Sequence, residues 1–236
     1  MQKIIIKTLL IFFYLVFTAS PNLFSQQVVI HKEDVILKQI ALKYFELSYT
    51  QINTKKKSPC DFVSSLDIKK SILSGFDAAS KITDTKVRKE VITYIRSSPI
   101  MKPFLAYEFS IKLAFENFYN GRAIWDFSEE KLLRNALKNT TFWGPAPGIY
   151  GHQSYYIFKD NMVEFHFRED PENGDWKMQT SSYQILINDD RSVTLEIGLK
   201  KYFLIRYEGN DQPFMLQPFE EDYNDTFYET ESECEA

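Results

Sequence analysis

Met162-Val163-Glu164-Phe165-His166-Phe167-Arg168 alternates apolar and polar side chains one by one. In an extended chain successive side chains point to opposite faces, so Val163, Phe165 and Phe167 share one face while Met162, Glu164, His166 and Arg168 share the other. That is a β-strand with one buried side. Val193, Leu195, Ile197 and Leu199 alternate with Thr194 and Glu196 in the same way, and further strands are expected at Tyr155–Phe158, Tyr183–Ile187 and Tyr202–Tyr207. Turn-forming residues separate them: Lys159-Asp160-Asn161, Pro171 to Asp175, Asn188-Asp189-Asp190 and Glu208-Gly209-Asn210. Short strands so spaced form an antiparallel meander.

Before Thr141 the period is that of a helix. Leu37, Ile40, Ala41, Tyr44, Phe45 and Ser48 recur at three- and four-residue steps. Asp84 is placed to cap a helix with Val87, Val91, Tyr94 and Ile95 as its buried stripe, ending at Ser98 before Pro99. Pro103 to Tyr119 reads as one central helix: Phe104, Tyr107, Ile111, Phe115 and Phe118 lie on one side, Leu105, Phe109 and Leu113 on the other, and Asn120-Gly121 ends it. Asp126 with Glu129 resembles a capping box before Leu132, Leu133, Ala136 and Leu137. Ser58 to Ala79 is expected to be helical, weakened by Ser74-Gly75, and Thr54 to Pro59 to be an exposed loop. Helices followed by strands make an α+β protein, with an N-terminal α-helical part packed on a C-terminal antiparallel β-sheet or small barrel. The divisions are 1–25, 26–140, 141–219 and 220–236.

With 236 residues, 44% hydrophobic, the chain is ample for a core. A net charge of −4 gives no general cationic surface for phosphates, so nucleic acid is not an expected partner. The charge is polarised along the chain: residues 26–140 carry 19 basic and 13 acidic side chains, and residues 220–236 carry none and eight. Self-repulsion makes that last segment an extended, mobile tail by expectation, with docking on the basic helical half through Phe219, Tyr223, Phe227 and Tyr228 as the alternative.

Lys3 and Lys7, the apolar run Leu9–Ala19 and the following Ser20-Pro21-Asn22 have the layout of a secretory signal peptide, with cleavage expected after Ser25. The run is too short for a bilayer-spanning helix, which needs roughly 20 residues. No cysteine stands near its end to take a lipid. The expected location is the periplasm, the cell surface or the medium of a Gram-negative bacterium. Cys60 and Cys234 are the only cysteines, and either a disulfide between them or two free thiols fits an exported chain.

Motifs for chemistry are scarce. His166 with Glu164 on one strand face, joined by His152, is the best metal or acid/base set, and ordinary polar residues on a solvated face are the competing reading. The turns Glu169–Asp175 and Asn188–Asp190 offer oxygen ligands for calcium or are solvated hairpins. The lysines around Lys55–Lys57, Lys69-Lys70 and Lys86–Lys89 are a polyanion contact or a solvated surface. No nucleophile elbow, phosphate loop or dinucleotide fingerprint is present in the sequence, and no cofactor is expected.

Aromatic residues are 16% of the chain and crowd the strand half. They pack a core or line an apolar cavity. The aromatic start at Phe142-Trp143, the short strands with charged turns and the strand opening at Gly174-Asp175-Trp176 resemble small lipocalin-like barrels over the strand half alone. The candidate ligand-binding residues are Trp143, Tyr150, His152, Tyr156, His166 and Trp176, with Phe142–His152 as an ordered corner or binding loop. The expected role is an adhesin-like binding or interaction protein with an extracellular partner. The alternatives are a carrier of an apolar small molecule or lipid, and a hydrolase acting near His152 and His166.

Overall fold

The computed structural model describes residues 32–54, 66–144, 154–170, 174–206, 214–219 and 226–229, side chains of 49–54 and 66–67 excepted. The chain divides into Met1–Lys32 and Glu33–Ala236, and of the first only Lys32 is described. The second is α+β. Its helices are α1 (Lys32–Thr54), α2 (Leu66–Ser80), α3 (Thr85–Ser97), α4 (Met101–Tyr107), α5 (Phe109–Tyr119) and α6 (Glu130–Leu137). Eight strands follow: β1 (Thr141–Trp143), β2 (Ser154–Phe158), β3 (Met162–Phe167), β4 (Lys177–Ile187), β5 (Val193–Ile197), β6 (Lys200–Arg206), β7 (Phe214–Pro218) and β8 (Phe227–Tyr228). They pair in sequence order, all antiparallel, and β8 returns to β1 to close a barrel. That is the up-and-down order, which leaves no open edge.

Helix α3 follows its sequence pattern. Asp84 Oδ1 accepts from the Lys86 and Val87 amides, Val87, Val91 and Ile95 are buried, and the Ser98 N–H closes the last turn on the Tyr94 carbonyl. Helix α1 buries a narrower stripe than its period suggests. Ala41, Phe45 and Ser48 are buried, but Ile40 and Tyr44 are exposed, because α1 packs along one side against α2. Gly75 makes that approach: a Cβ there would stand 2.6 Å from the Phe45 ring. The glycine that weakened the helical reading is the packing surface. Asp34, buried at the start of α1, accepts from the Thr83 N–H and Oγ1 and from the Asp84 N–H, tying α1 to the turn before α3.

The single helix expected from Pro103 to Tyr119 is two helices. Glu108 is extended (φ −96°, ψ 114°), ends α4 and starts α5, and its side chain turns inward to an ion pair with buried Lys69. The two apolar faces part only in α5; in α4, Phe104 and Leu105 both join the helical core and Tyr107 is exposed. Ile111, Phe115 and Phe118 join the core of the helical layer, while Phe109 and Leu113 join the barrel core. Helix α5 ends at Asn120, with Gly121 in the left-handed region (φ +79°) and the Arg122 N–H on the Asn117 carbonyl.

The capping box before α6 is not formed. Glu129 is the N-cap residue without a side-chain cap, its carboxylate held at 2.5 Å by Arg122, and Asp126 accepts instead from the Ser128 amide in a local turn. Arg122 takes both carboxylates first.

Helices α5 and α6 cover one end of the barrel. The Phe109 ring lies 5.8 Å from Phe142 and 4.9 Å from Phe214, and Lys138 after α6 pairs with Asp160 in the β2–β3 turn at 2.6 Å. The opposite end carries the β3–β4 and β5–β6 connections. Inside, β2 and β6 stand across the ring from each other, and their Tyr156 and Tyr202 hydroxyls meet at 3.0 Å. Phe227 packs against both rings. At this level the barrel is filled by its own aromatic side chains.

Part of the segment expected to be a mobile acidic tail has another place. Phe227 and Tyr228 form β8, with Thr226, Phe227 and Glu229 buried. Apolar side chains at 227 and 228 win over the local charge repulsion. The remainder of 220–236 lies outside the described residues, as do Cys60 and Cys234.

Candidate functional site

Cross-strand register builds an aromatic row on the outer wall. Because Phe142, Tyr156, Phe158 and Val163 face inward, their neighbours Trp143, Tyr155 and His166 face outward. The pairing sets Tyr228 beside Trp143, Trp143 beside Tyr155, Tyr155 beside His166, and His166 beside Met178. Tyr155 and His166 stack at 4.6 Å with an 8° tilt, and Trp143 lies 4.8 Å from Tyr155. Trp176 meets the Tyr155 ring edge to face at 4.9 Å, and the Arg168 guanidinium lies 4.3 Å over the Trp176 ring. Such pairs stabilise a sheet by a few tenths to about 1 kcal/mol each. They also hold the exposed members in fixed orientations.

The exposed members gather at the end opposite α5 and α6, which no described helix covers. Trp176 is 38% exposed and Met178 58%. Leu199, in the turn between β5 and β6, is fully exposed. Phe219, half exposed, stacks on Phe203 at 3.9 Å, and its N–H is held by the Lys201 carbonyl. The rim charges are paired: Lys177 with Glu169 and Lys201 with Glu196, each at 2.5 Å. Arg168 Nε is buried with no hydrogen-bond partner among the described residues, leaving a donor beside the Trp176 platform. Burial, acting before the opposing pull of Arg168, pushes the Tyr155 hydroxyl above the usual tyrosine range, so it stays a neutral hydrogen-bonding group.

Of the sequence candidates, Trp143, His166 and Trp176 lie together around the Tyr155 ring. Tyr156 is not with them: it is buried inside the barrel, one strand position and one face away. Tyr150 and His152 lie outside the described residues. His166 Nε2 stands 3.5 Å from Glu164 Oε2, and Lys159 approaches the same carboxylate at 3.7 Å. Among the described residues no group of three or more metal-binding side chains exists; the turn Glu169–Asp175 lies partly outside them. Tyr155, Arg168, Met178, Leu199 and Phe219 were not among the sequence candidates. The outward parity of Tyr155 was readable from β2, but its neighbours depend on register, which one strand does not encode.

No family model, no curated protein and no solved structure matches this chain.

Proposed function

We propose that the protein is an exported, adhesin-like interaction module of the periplasm or cell surface, and that it binds an extracellular protein through the uncovered rim of its barrel. The observation that carries this reading is the gathering of exposed Trp176, Met178, Leu199 and Phe219 at that one end, over rings already fixed by stacking. Trp, Tyr and Arg in one patch have the composition of binding hot spots, and rigid rings lose little entropy on contact. Large apolar side chains held in water at a turn, as at Leu199, do not contribute to folding. The carrier reading is less well supported, since an apolar ligand would have to part the Tyr156–Tyr202 hydroxyl pair. The hydrolase reading rests on His152, which lies outside the described residues, and on His166, whose ring stacks on Tyr155 with Nε2 3.5 Å from Glu164.

The test is to purify the secreted chain, confirm that it begins at Gln26, and use it to capture envelope and extracellular proteins of its source. The captured protein is then titrated against wild type and against the Trp176→Ala/Met178→Ala and Leu199→Ser variants. Hot-spot truncation costs about 2 kcal/mol or more, roughly thirtyfold in Kd. Unchanged affinity in all variants, with unchanged thermal midpoints, rejects the rim as the binding surface.

A further inference from the structure

We propose that one proton, held between Glu108 and Glu229, seats the last strand of the barrel, and that β8 is a latch which loosens as the pH rises. β8 is two residues long and meets β1 at one residue pair and β7 at two. So short a ladder does not hold a strand by itself. The residue after it does. Glu229, 4% exposed, accepts hydrogen bonds from the N–H and the Oγ of buried Ser110, both at 2.7 Å, and its own N–H reaches the Phe214 carbonyl.

Glu229 therefore sits at the start of α5, beside the corner at Glu108. Among the described residues the charged groups acting on Glu108 are Lys69 from α2, in an ion pair with it, and Glu229 from the latch. Lys112, one turn along α5, is directed away to the Lys138 carbonyl, and Ser110 carries no charge. With every group ionised, two buried carboxylates would face one ammonium, leaving an unmatched negative charge where desolvation is costly. Glu229 Oε2 would then have no hydrogen-bond donor among the described residues. A proton on Glu108 removes the surplus charge and supplies an O–H donor beside Glu229, where the Oε2 atoms of both carboxylates have no other hydrogen-bond partner among the described residues.

Burial first, and then the neighbouring Glu229, push the Glu108 carboxyl up to about 7 against the pull of Lys69. When β8 lifts, Glu229 no longer faces Glu108, whose carboxyl falls toward its ordinary value of 4.5. The seated state then binds one more proton than the open state between those two values. Seating is strongest below the lower one, weakens by up to about tenfold per pH unit across the window, and levels off above the upper one. The inference stands on the buried cluster and is independent of what the rim binds.

Hydrogen exchange of the full mature chain tests it. Rates are corrected for intrinsic pH dependence and read at a peptide spanning 226–229, with α5 as the internal reference. The expected result is an opening constant for the latch that rises at least tenfold from pH 5 to 7 and then levels off. Glu108→Gln keeps a donor without the titration, and its opening should change less than threefold. A flat wild-type profile, or equal slopes in wild type and variant, overturns the proposal. Should the variant not fold, infrared spectroscopy of wild type with isotope-labelled Glu decides. A protonated buried carboxyl persisting to pH 6 supports the latch, and its absence there refutes it.

Discussion

Phe109→Ala removes the side chain through which α5 enters the barrel. Phe109 is fully buried, edge to face with Phe214 at 4.9 Å and 89°, and tilted against Phe142 at 5.8 Å. Truncating a buried Phe costs about 3–5 kcal/mol in lost transfer energy and residual cavity. The upper part of that range applies here, because the ring lies between a helix and two strands fixed by closure of the barrel, and neither side can collapse onto the void. Whole-domain stability is typically about 5–15 kcal/mol, so the loss is a large share. For a domain of this size about 4 kcal/mol corresponds to a fall of roughly 10 °C in Tm. Phe109→Leu keeps most of the volume and should cost about 1.5 kcal/mol. Chemical denaturation followed by far-UV circular dichroism and by tryptophan fluorescence measures both. The two probes should give one transition, because α5 contributes to both cores and couples helices to barrel. A loss below about 1 kcal/mol for the alanine variant would refute the coupling of α5 to the barrel through Phe109, as would separate transitions for helices and strands in the wild type.

Three further substitutions are expected to act against simple propensity or in a non-additive way. Gly75→Ala favours a helix interior by about 1 kcal/mol, but the new methyl would stand 2.6 Å from the packed Phe45 ring, so overpacking of about 1–3 kcal/mol wins and thermal melting should show net destabilisation. Tyr156→Phe and Tyr202→Phe each remove the same buried hydroxyl–hydroxyl contact, so each should cost about 1 kcal/mol while the double variant costs less than the sum in a denaturation double-mutant cycle.

The legible parts of this fold are those whose information is local. The Asp84 cap, the Val87–Val91–Ile95 stripe and the period-2 strands around Phe165 and Leu195 are each set within a few residues, and the structure has them. What escaped depends on distant partners. Glu108 breaks the long apolar segment because Lys69, 39 positions earlier, ion-pairs with it inside the core. Phe227 and Tyr228 look like tail residues among eight acids, yet β1 and β7 give them a ladder and Ser110 gives Glu229 a partner. The candidate site divided along the same line. Trp143, His166 and Trp176 are on one face because strand parity is local. That Leu199 and Phe219 share the uncovered end follows only from closure of the barrel.

The central claim is that the uncovered rim is the contact surface. Its most direct test is a hydrogen-exchange footprint of the mature chain with its captured extracellular partner. The account predicts added protection in peptides covering 168–178, 198–203 and 217–219, with the amides of α1 to α3 unchanged. Protection confined to the helical layer, with none at Trp176, Leu199 or Phe219, would contradict it.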